Sequence, residues 1–569
     1  MDSFESARAA TAPEAGVNFL ERIITEDVGA GIYHRPICTR FPPEPNGYLH
    51  IGSLYAVNIN YSAAKHFNGV FNLRLDDTNP LKEDMEYVNA IIEDMQWAGY
   101  DPGENIFYGS DYFQTIYELT LRLIENGLAF VCDLSPDELR ESRGTLTAPG
   151  VDSPYRGRSA AENLKLFQEM KDGKFAPGEK VLRAKIDMAS PNMNMRDPAI
   201  YRILNAEHYR AGNAWRIYPM YDYAHPIQDA IEDVTHSMCS LEFKDHRPLY
   251  EWVLNALRFA FPEPPKQREF GRMNITGAIT GKRYLRQLVN EGYVEGWDDP
   301  RLPTVKGLRR RGFTPEAIHH FLNEIGVARD MSTVDISMLE HCLREDLKSK
   351  APTVMAALEP LPVVITNYPE GQTEMMEVEN NVENPALGSR KLPFSRHILV
   401  EREDFMEVPA KGFHRLYPGN EVRLKGAYFI RCTDVIKNAD GSLREIHCTY
   451  DPATRSGLNF TERKVKATLH WLEANHTLPA RVNFYSRLLT NENISGEEIR
   501  WDDYIDPQSK IVLENCQVEE SLSSVRPEDK FQFIRHGYFV VDTRWEPGAK
   551  LIFNRIVALK DTKNKIKSK

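Results

Sequence analysis

Cysteine is scarce in this sequence, with seven residues in a chain of 569, and no two of them form a CxxC pair. The seven are scattered and odd in number, which argues against a disulfide framework and against a zinc site of regular spacing. Such a pattern is typical of a protein whose thiols stay reduced. We therefore expect a cytoplasmic location and no metal-ligating residues.

Long apolar runs are missing as well. No stretch approaches about 18 uncharged apolar residues, which predicts that no helix of the chain spans a membrane. The N-terminal segment MDSFESARAATAPEAG lacks the basic start and the apolar run of a signal peptide. We expect neither membrane insertion nor secretion.

An overall basic character is also absent, since the formal net charge is −12 and the pI is about 5.8. Composition alone therefore argues against a nucleic-acid-binding protein, which usually has a basic footprint. Net charge describes solubility and long-range attraction, however, and a large acidic protein can bind RNA through a local basic track. Short basic groups occur at Arg156 and Arg158 and over 309–311. They could contact RNA or could simply form a solvated surface.

The patterns that are present predict several domains. At roughly 100–200 residues per domain, the chain length predicts about three to five. The segment PICTRF, a turn rich in Pro and Gly, a helix and then VFNLRLDD are typical of a parallel α/β sheet. After about residue 355, short runs of Val, Ile, Tyr and Thr alternate with polar residues, which predicts an all-β half made of barrels. The predicted parts are an N-terminal extension and helix (1–30), an α/β domain in two segments (31–110 and 216–271), an insertion (111–215), a helical connector (272–350) and the all-β half (351–569).

The first chemical signal is PPEPNGYLHIGS, from Pro42 to Ser53. A helix start offers free backbone N–H groups and the positive end of the helix dipole, which suit a phosphate. Gly52 would let a nucleotide approach the backbone closely, and His50 would donate to phosphate oxygens. An ordinary capped turn has the same pattern, so this motif alone leaves both interpretations open.

The longer string TRFPPEPNGYLHIG resembles the first ATP motif of class I glutaminyl- and glutamyl-tRNA synthetases. Further strings follow in the order of the glutaminyl branch, and the resemblance runs from about residue 17 to the C-terminus: LRLDDTNPLKED, RGTLTAPG, SPYRGRS, LRAKIDMASPNMNMRDP, YPMYDYAHPIQDAIEDVTHS, CSLEF and VEGWDDPRLPTVKGLRRRGFTP. It implies a multidomain α/β plus all-β fold, with a Rossmann-like class I synthetase catalytic domain, an inserted acceptor-binding domain, a helical connector and two C-terminal β-barrels. It also implies ATP contacts from Pro43, Glu44, Asn46, Gly47, His50, Gly52, Arg272 and Lys282.

Both ATP motifs depart from the family pattern. The first motif of the family ends in His-Ile-Gly-His, whereas Ser53 ends it here. The second motif, Val-Met-Ser-Lys-Arg in the glutaminyl branch, is matched by 279–283, where Lys282 is kept but Met-Ser becomes Thr-Gly. By resemblance, His50, Ser53 and Lys282 are the catalytic residues. Because preorganised charge stabilises a phosphoryl-type transition state, these changes predict slower chemistry.

The resemblance further assigns an amino-acid pocket made of Arg40, Asp76, Tyr221, Phe243 and Gln267. Asp76 would bind the substrate α-amino group through a charge-assisted contact. Arg40 and Tyr221 would face the side-chain amide, Phe243 would pack beside the pocket, and Gln267 would orient these residues. Without the resemblance, Tyr221 and Phe243 would be interpreted as core aromatics.

Two questions about this pocket stay open at the level of sequence. Asp76 or Asp77 would equally serve as a helix N-cap before Asn79 and Pro80. Glutamate is the rival substrate. Tyr221 and the β-rich C-terminal half both favour glutamine. By the same resemblance, glutamyl enzymes of the bacterial type have a helical C-terminal half instead.

The resemblance extends to contacts with tRNA. Leu146, in the predicted hairpin GTLTAPG, matches a residue that opens the end of the acceptor stem. Asp245 matches a residue that reads a guanine edge in the minor groove, where RNA helices expose their base edges. Arg415 and Arg423 occupy positions at which the family reads anticodon bases.

Two neighbouring positions depart from the family in the anticodon half. Thr353 follows Ala-Pro where the family usually has an arginine, and Lys425 also replaces an arginine. The second change gives up bidentate, stackable recognition. The identity of the anticodon is therefore left open.

The reaction that this resemblance implies is that of a glutaminyl-tRNA synthetase. L-Glutamine and ATP with Mg²⁺ would form glutaminyl-adenylate, which would pass to the terminal ribose of tRNA(Gln), in a monomer without a prosthetic group. A diverged paralogue with reduced or redirected activity is one alternative, either an inhibitor-resistant copy or a supplier of aminoacyl-tRNA to another pathway. A non-catalytic tRNA-binding protein on the same scaffold is the other. Retention of His50, Lys282, Asp76 and Tyr221 argues against the latter, because a pure binding protein does not need them.

Overall fold

The computed structural model describes residues 17–458, 460, 463–491 and 499–560. The chain forms two compact units, one running to Ile275 and including Leu322–Val334, the other made of Thr276–Phe321 and the residues from Asp335 onward. The predicted N-terminal helix is present, but residues 1–16 and 561–569 of the predicted terminal parts lie outside the described residues. No helix in the described residues is long and apolar enough to cross a membrane.

Helices and strands of the first unit follow one another in an α/β order. Up to residue 276 they are α1 (Phe19–Gly29), β1 (Cys38–Phe41), α2 (Ile51–His66), β2 (Val70–Leu75), α3 (Met85–Trp97), β3 (Ile106–Tyr108), α4 (Phe113–Glu125), β4 (Ala129–Cys132), α5 (Pro136–Ser142), α6 (Ala160–Lys171), β5 (Val181–Ala184), β6 (Ala199–Ile203), β7 (Ile217–Pro219), α7 (Tyr221–Ile231), β8 (His236–Ser240), α8 (Arg247–Ala256), β9 (Lys266–Phe270) and β10 (Met273–Thr276).

The predicted α/β domain is built on parallel strands. β1 pairs with β2, and β2 with β3, all parallel, with α2 and α3 as the crossover helices. β8 and β9 form a second parallel pair, and the backbone N–H of Thr235, just before β8, donates to Cys38 O at the start of β1 at 2.9 Å. All four residues of β1 are buried, as expected of a strand covered on both faces.

The predicted insertion is an antiparallel sheet in the order β4-β5-β6-β7, packed against α4 and α6. The boundary predicted at residue 216 divides this sheet, because β7 pairs with β6 through Tyr201 and Pro219 and not with the parallel strands. The parallel strands resume at β8. A short strand such as IYP has the same local pattern in either sheet, so its partner is decided by the tertiary fold.

The predicted helical connector over 272–350 is shared between the two units. It contains α9 (Lys282–Asn290), α10 (Val305–Arg311), α11 (Pro315–Ile325), β11 (Ser332–Asp335) and α12 (Ile336–Lys350). β10 and β11 pair with each other, and the backbone N–H of Ser332 donates to Arg272 O at 3.0 Å. This pairing keeps 322–334 with the first unit, whereas α9, α10 and α12 belong to the second.

The second unit carries two seven-stranded, barrel-like sheets, which confirms the predicted all-β half. Its strands are β12 (Thr353–Val354), β13 (Ala356–Ala357), β14 (Pro360–Ile365), β15 (Glu374–Glu379), β16 (Ser389–Phe394), β17 (His397–Glu401), β18 (Glu421–Leu424), β19 (Phe429–Lys437), β20 (Leu443–Asp451), β21 (Thr468–Leu469), β22 (Leu472–Glu473), β23 (Thr477–Tyr485), β24 (Lys510–Glu519), β25 (Lys530–Phe533), β26 (Gly537–Val541) and β27 (Leu551–Val557). One sheet has the order β21-β18-β19-β20-β14-β17-β22 and the other β12-β25-β26-β27-β23-β24-β13. Each encloses its own core, around Trp471 in the first and Phe539 in the second.

Candidate active site

The start of α2 is closed by a reciprocal cap between His50 and Ser53. Nδ1 of His50 accepts the backbone N–H of Gly52 at 3.1 Å, and Oγ of Ser53 accepts the backbone N–H of His50 at 3.4 Å. Because Nδ1 is an acceptor, the proton of the neutral imidazole is on Nε2. The capped turn considered from the sequence is therefore present, and it orients an N–H donor at a helix end that favours anions.

The proline-rich loop before α2 is held against the end of β2. The backbone N–H of Asp76 donates to Pro43 O at 3.0 Å, and that of Asp84 donates to Pro45 O at 3.1 Å. Both carbonyls lie in a segment where proline supplies no N–H of its own. The loop is thus fixed in place by the acidic segment that follows β2.

Three further residues assigned to ATP lie in the same loop. Glu44 is exposed, and its carboxylate accepts the side-chain amide of Asn46. Gly47 is buried just beyond them. The loop therefore has one exposed acid beside the capped start of α2.

The carboxyl group of Asp76 is buried and only partly hydrogen-bonded. The hydroxyl of Thr78 donates to Oδ1 at 3.4 Å, while Oδ2 has no partner among the described residues. Burial raises the pKa of Asp76 to about 7, an effect that Arg74 opposes and that Glu44 and Asp77 increase. A buried carboxylate oxygen without a partner is costly, and a ligand ammonium group would remove that cost.

Neither Asp76 nor Asp77 caps a helix, so that alternative interpretation was wrong. Asp77 accepts the backbone N–H of Ser110 at 2.6 Å, its hydroxyl at 2.7 Å and the phenol of Tyr209 at 2.8 Å. The N-cap of α3 is Asp84, whose carboxylate accepts a first-turn N–H at 2.8 Å. A turn separates Asp77 from the start of α3. The cap of this helix therefore lies at Asp84, further along the chain than the sequence suggested.

A third buried acid, Glu83, was missed by sequence reasoning. Its Oε1 accepts the backbone N–H of Asn79 at 2.8 Å. Its Oε2 lies 4.0 Å from Nε2 of His208 and has no hydrogen-bond partner among the described residues. Burial raises the pKa of Glu83 to about 9, and the charges of Asp77 and Asp76 add to the shift. In sequence Glu83 resembles a surface acid of the run LKED, and only the fold buries it beside the other two.

Tyr221 and Phe243 lie side by side, with ring centroids 5.6 Å apart. Tyr221 begins α7 and stacks on His225 at 5.0 Å. Burial raises the pKa of Tyr221 well above its ordinary value, and the charge of Asp76 adds to this. The phenol is therefore protonated and close to the Asp76 carboxyl group.

Gln267, in β9, fixes the position of Phe243 from behind. Its Nε2 donates to Phe243 O at 3.1 Å and to Oε1 of Glu269 at 2.9 Å. The side chain is 3% exposed. Gln267 thus fixes the backbone of Phe243, and its role in the glutamine pocket stays a prediction.

Arg40 is fully buried, with its guanidinium group taken up by protein partners. It donates to Asp229 Oδ1 at 3.1 Å, to Met238 O at 2.9 Å and to Ser237 Oγ at 2.5 Å, and Nη2 lies 2.8 Å from Nε2 of His225. Arg40 thus holds His225, on which Tyr221 stacks. Its contact with a substrate amide stays a prediction.

Arg74 completes this buried network. Its Nη1 pairs with Asp229 at 2.7 Å and with Glu232 at 3.1 Å, and its Nη2 lies 2.8 Å from Nδ1 of His225. Burial lowers the pKa of His225 far below its ordinary value, so its ring is neutral. The sequence held a signal for this network, since Tyr221, His225 and Asp229 recur every four residues and so share one face of α7.

Arg272 follows Gly271, whose backbone lies against that of Asp330. A Cβ atom at Gly271 would lie 1.8 Å from Asp330 O, so a side chain cannot be accommodated there. Nη1 of Arg272 pairs with Glu242 at 2.6 Å, and both side chains are about half exposed. Because an exposed ion pair is weak, a polyphosphate can compete for this guanidinium group.

The second ATP motif lies in the second unit, at the start of α9. Gly281 is the N-cap, with φ −67°, ψ 114° and no side-chain cap bond, and Lys282 is the first helical residue. Gly277 has φ +80°, and a Cβ atom there would lie 3.0 Å from Nε of Arg487. The motif thus presents its retained lysine at an uncapped helix start.

Three family models match the chain. The model for the catalytic domain of the class I tRNA synthetases (E and Q) matches residues 36–349, and two models for the anticodon-binding domain of these synthetases match 351–451 and 468–542. The chain belongs to this family.

Curated relatives of this synthetase chain match it over nearly its full length. A glutamine–tRNA ligase of Clostridium kluyveri is 54% identical, covering 96% of this chain and 97% of the relative. The glutamine–tRNA ligases of Clostridium perfringens and Bradyrhizobium diazoefficiens are 53% and 52% identical, covering 96% and 97% of this chain and 99% and 98% of those proteins. The similarity therefore covers nearly all of this chain and of these relatives.

In this synthetase, Leu146 lies at an exposed turn of the inserted domain. Its side chain is 81% exposed. The buried Arg196 braces the turn, because its Nη1 donates to the carbonyls of Arg143, Thr145 and Ala148 at 2.7, 2.9 and 2.9 Å. An apolar side chain held out on a rigid turn is suited to insertion against a base pair.

Asp245 lies in a short 3₁₀ helix, Leu241–His246, that also contains Phe243. Its backbone carbonyl accepts the side-chain amides of Asn192 and Asn194 at 2.7 and 3.2 Å. Asp245 itself is exposed. The inserted domain thus positions the backbone, while the residue assigned to a guanine edge stays at the surface.

The basic groups of the synthetase that the sequence offered as possible RNA contacts are engaged with carboxylates. Arg156 pairs with Asp197 at 2.7 Å, and Arg158 with Asp133 at 2.6 Å. The run over 309–311 pairs with Glu528, Asp542 and Glu340 at 2.6, 3.1 and 3.3 Å. These arginines join secondary-structure elements, which neither the RNA-contact nor the solvated-surface interpretation anticipated.

The two arginines that the resemblance assigns to the anticodon lie in the first barrel sheet and its loops. Arg415 pairs with Glu403 at 2.9 Å and with Asp404 at 3.0 Å, and Asp404 also binds Arg535 at 2.6 Å. Arg423, in β18, donates to Ser456 Oγ at 3.1 Å. Thr353 and Lys425, the two positions that depart from the family, line a cavity of about 590 Å³ together with Arg344 and Gln532, among others.

Proposed function

We propose that this protein is a glutamine–tRNA ligase, which uses ATP to join L-glutamine to tRNA(Gln). The observation that carries the proposal is the identity of about half of all residues with curated glutamine–tRNA ligases along nearly the whole chain. The buried pocket around Asp76 and Tyr221 supports it, because it offers an unpartnered carboxylate oxygen beside a protonated phenol.

In the first step, Asp76 binds the α-ammonium group of glutamine, and Tyr221 hydrogen-bonds its side-chain amide. The α-carboxylate of glutamine attacks the α-phosphorus of MgATP, and the bond to pyrophosphate breaks. His50 through Nε2–H, Lys282 and Arg272 stabilise the charge that develops on the phosphates. The remaining nucleotide contacts are assigned to Pro43, Glu44, Asn46, Gly47 and Gly52.

In the second step, a hydroxyl of the terminal ribose of tRNA attacks the activated carbonyl, and AMP leaves. No covalent bond to the enzyme is needed, since positioning supplies the rate enhancement. Leu146 and Asp245 contact the acceptor stem, and Arg415 and Arg423 contact the anticodon. The enzyme acts as a cytoplasmic monomer.

The charges around the pocket favour glutamine over glutamate. A side-chain carboxylate would require a cation that is available to pair with it, but Arg40 and Arg74 already pair with Asp229, and Arg74 also pairs with Glu232. The neutral amide of glutamine needs only a hydrogen-bonding phenol such as Tyr221.

A second candidate is a diverged copy of the enzyme with slower or redirected chemistry. Ser53 replaces a histidine donor, and its Oγ accepts the backbone N–H of His50. Gly281 provides no side-chain cap at the start of α9. These two local arrangements favour a reduced rate over lost activity, because His50 and Lys282 are retained.

Charging of a tRNA(Gln) transcript with ATP and labelled glutamine tests the proposal, with labelled glutamate in a parallel reaction. We expect glutamine to be esterified and glutamate not. Asp76→Asn serves as the control for the pocket and should lose charging while keeping tRNA binding. Charging of glutamate would refute the substrate, and failure with both amino acids by protein that still binds the tRNA would favour a non-catalytic role.

A further inference from the structure

Three potential ligand side chains converge between the two barrel sheets. Glu401 ends β17, His470 lies between β21 and β22, and His536 lies in the turn between β25 and β26. Oε1 of Glu401 is 3.1 Å from Nε2 of His536 and 3.9 Å from Nε2 of His470. One ligand atom from each lies within 4.8 Å of those of the other two.

We propose that Glu401, His470 and His536 bind a divalent transition-metal ion, with Zn²⁺ as the preferred occupant. Two ligands of a tetrahedral zinc ion lie about 3.4 Å apart, given metal–ligand bonds of about 2.0–2.2 Å. The two separations measured from Glu401 bracket this value, and the third is at most 4.8 Å. Small rotations of the two imidazole rings would therefore bring all three atoms into the coordination sphere. Water completes the fourth position.

The state of His470 is the second observation that points to a ligand. Its side chain is fully buried, and neither ring nitrogen has a hydrogen-bond partner among the described residues. The gap of 3.9 Å to Glu401 is too long for a hydrogen bond. A buried imidazole without partners is costly, and a metal ion at Nε2 would remove much of that cost.

The surroundings of Glu401 resemble those of a metal ligand with outer support. The backbone N–H groups of Leu358 and Glu359 both donate to its carboxylate, which fixes its orientation. The rings of His470 and His536 meet edge to face, with centroids 5.4 Å apart, so both can direct a nitrogen to one point. The guanidinium group of Arg535, whose charge acts on His470, pairs with Asp404 at 2.6 Å.

The donor set determines the class of ion. Two imidazoles and one carboxylate suit zinc, cobalt, nickel or copper, whereas magnesium and calcium prefer oxygen ligands. Glu401 and His470 come from one barrel sheet and His536 from the other. A bound ion would therefore cross-link the two barrels, and the partial exposure of His536, at 14%, gives the ion a route of entry.

Metal content of the full-length protein tests this site. The chain is stripped with a chelator and dialysed against ZnCl₂, and the bound zinc is quantified by mass spectrometry. We expect one equivalent per chain for the wild type. Loss of a residue that only supports a metal ligand typically weakens metal binding by about 10- to 100-fold. His536→Asn removes a ligand itself, so it should weaken zinc binding by more than this.

His476→Asn is the matched control, because His476 also pairs with a glutamate, Glu520 at 2.9 Å, in the same half of the chain but without a third ligand. It should retain the full equivalent. Equal zinc affinity in wild type and His536→Asn would overturn the proposal. The wild-type protein loaded with Co²⁺ provides a test that needs no variant: intense visible bands indicate a tetrahedral site, and a pale octahedral spectrum would overturn it.

Discussion

Nδ1 of His50 accepts the backbone N–H of Gly52, and the absence of a side chain at Gly52 makes this bond possible. A Cβ atom there would lie 3.0 Å from Cε1 and 3.1 Å from Nδ1 of the imidazole. The bond places the proton of the neutral ring on Nε2, which is the donor assigned to the phosphates. The glycine of the motif therefore acts on the histidine two residues earlier.

Replacing Ser53 by histidine should raise kcat for tRNA charging. The new imidazole adds a donor at the start of α2, and one preorganised donor is worth about 10²–10³ in rate. We expect a gain of up to about 100-fold, since the family pattern is restored while the cap on His50 is lost. Ser53→Ala is the control: it should lower stability by about 0.5–1 kcal/mol, as for loss of a cap, and it should not raise kcat. A kcat for Ser53→His at or below the wild-type value would contradict the assignment.

The use of glutamine should depend on the protonation of Asp76. Its pKa of about 7 means that the neutral acid, which cannot pair with an ammonium group, dominates below that pH. Consequently kcat/KM for glutamine should rise as the pH increases through about 7. A pH profile of charging with saturating tRNA and ATP measures this. In Asp76→Asn the rise should disappear, and its persistence would assign the titration to another group.

Stability of the ligand-free protein should show the burial of Glu83. Its folded pKa of about 9 exceeds the ordinary value of 4.5, so the folded state binds the proton more tightly than the unfolded state, and stability falls as the pH rises between these values. Glu83→Gln removes this penalty. The Tm of the variant should exceed that of the wild type by an amount that grows up to about pH 9 and then levels off. A difference in Tm that is independent of pH would show that Glu83 does not titrate in this range.

The second ATP motif should respond to a hydroxyl at Gly281. Serine at this N-cap can accept an N–H of the first turn of α9, which adds a few tenths of a kcal/mol of stability and fixes Lys282. We expect Gly281→Ser to raise kcat, and Lys282→Ala to lower it by about 10²–10³. Gly281→Ala adds the Cβ atom without the hydroxyl. If it matched Gly281→Ser in kcat, the gain would come from backbone restriction and not from capping.

Local features of the fold were predictable because neighbouring residues determine them. The strand at Cys38–Phe41, the proline-rich turn and the helix from Ile51 follow from the sequence in that order, and each is in the structure. The cap of α3 shows the limit of such reasoning. Asp76, Asp77 and Asp84 are all residues of a type favoured at an N-cap. Asp84 is the cap in the structure because a turn, whose length the sequence does not reveal, separates the other two from the helix.

Contacts between distant segments could not be predicted. Arg40 and Asp229 are 189 residues apart, and nothing in the sequence around either residue indicates that they pair. Likewise, nothing in the tripeptide IYP indicates that β7 pairs with β6. In both cases the partner is selected by packing across the whole domain, and the sequence of either segment alone is compatible with several partners.

The position of β7 has a mechanical consequence. The strand ends at Pro219 and α7 begins at Tyr221, so Met220 alone separates the sheet assigned to the acceptor stem from the tyrosine assigned to glutamine. The backbone N–H of Met220 donates to Ile200 O at 2.8 Å, so this one-residue connection has little freedom to move. If binding of a nucleic acid tilted that sheet, the phenol of Tyr221 would therefore rotate with it.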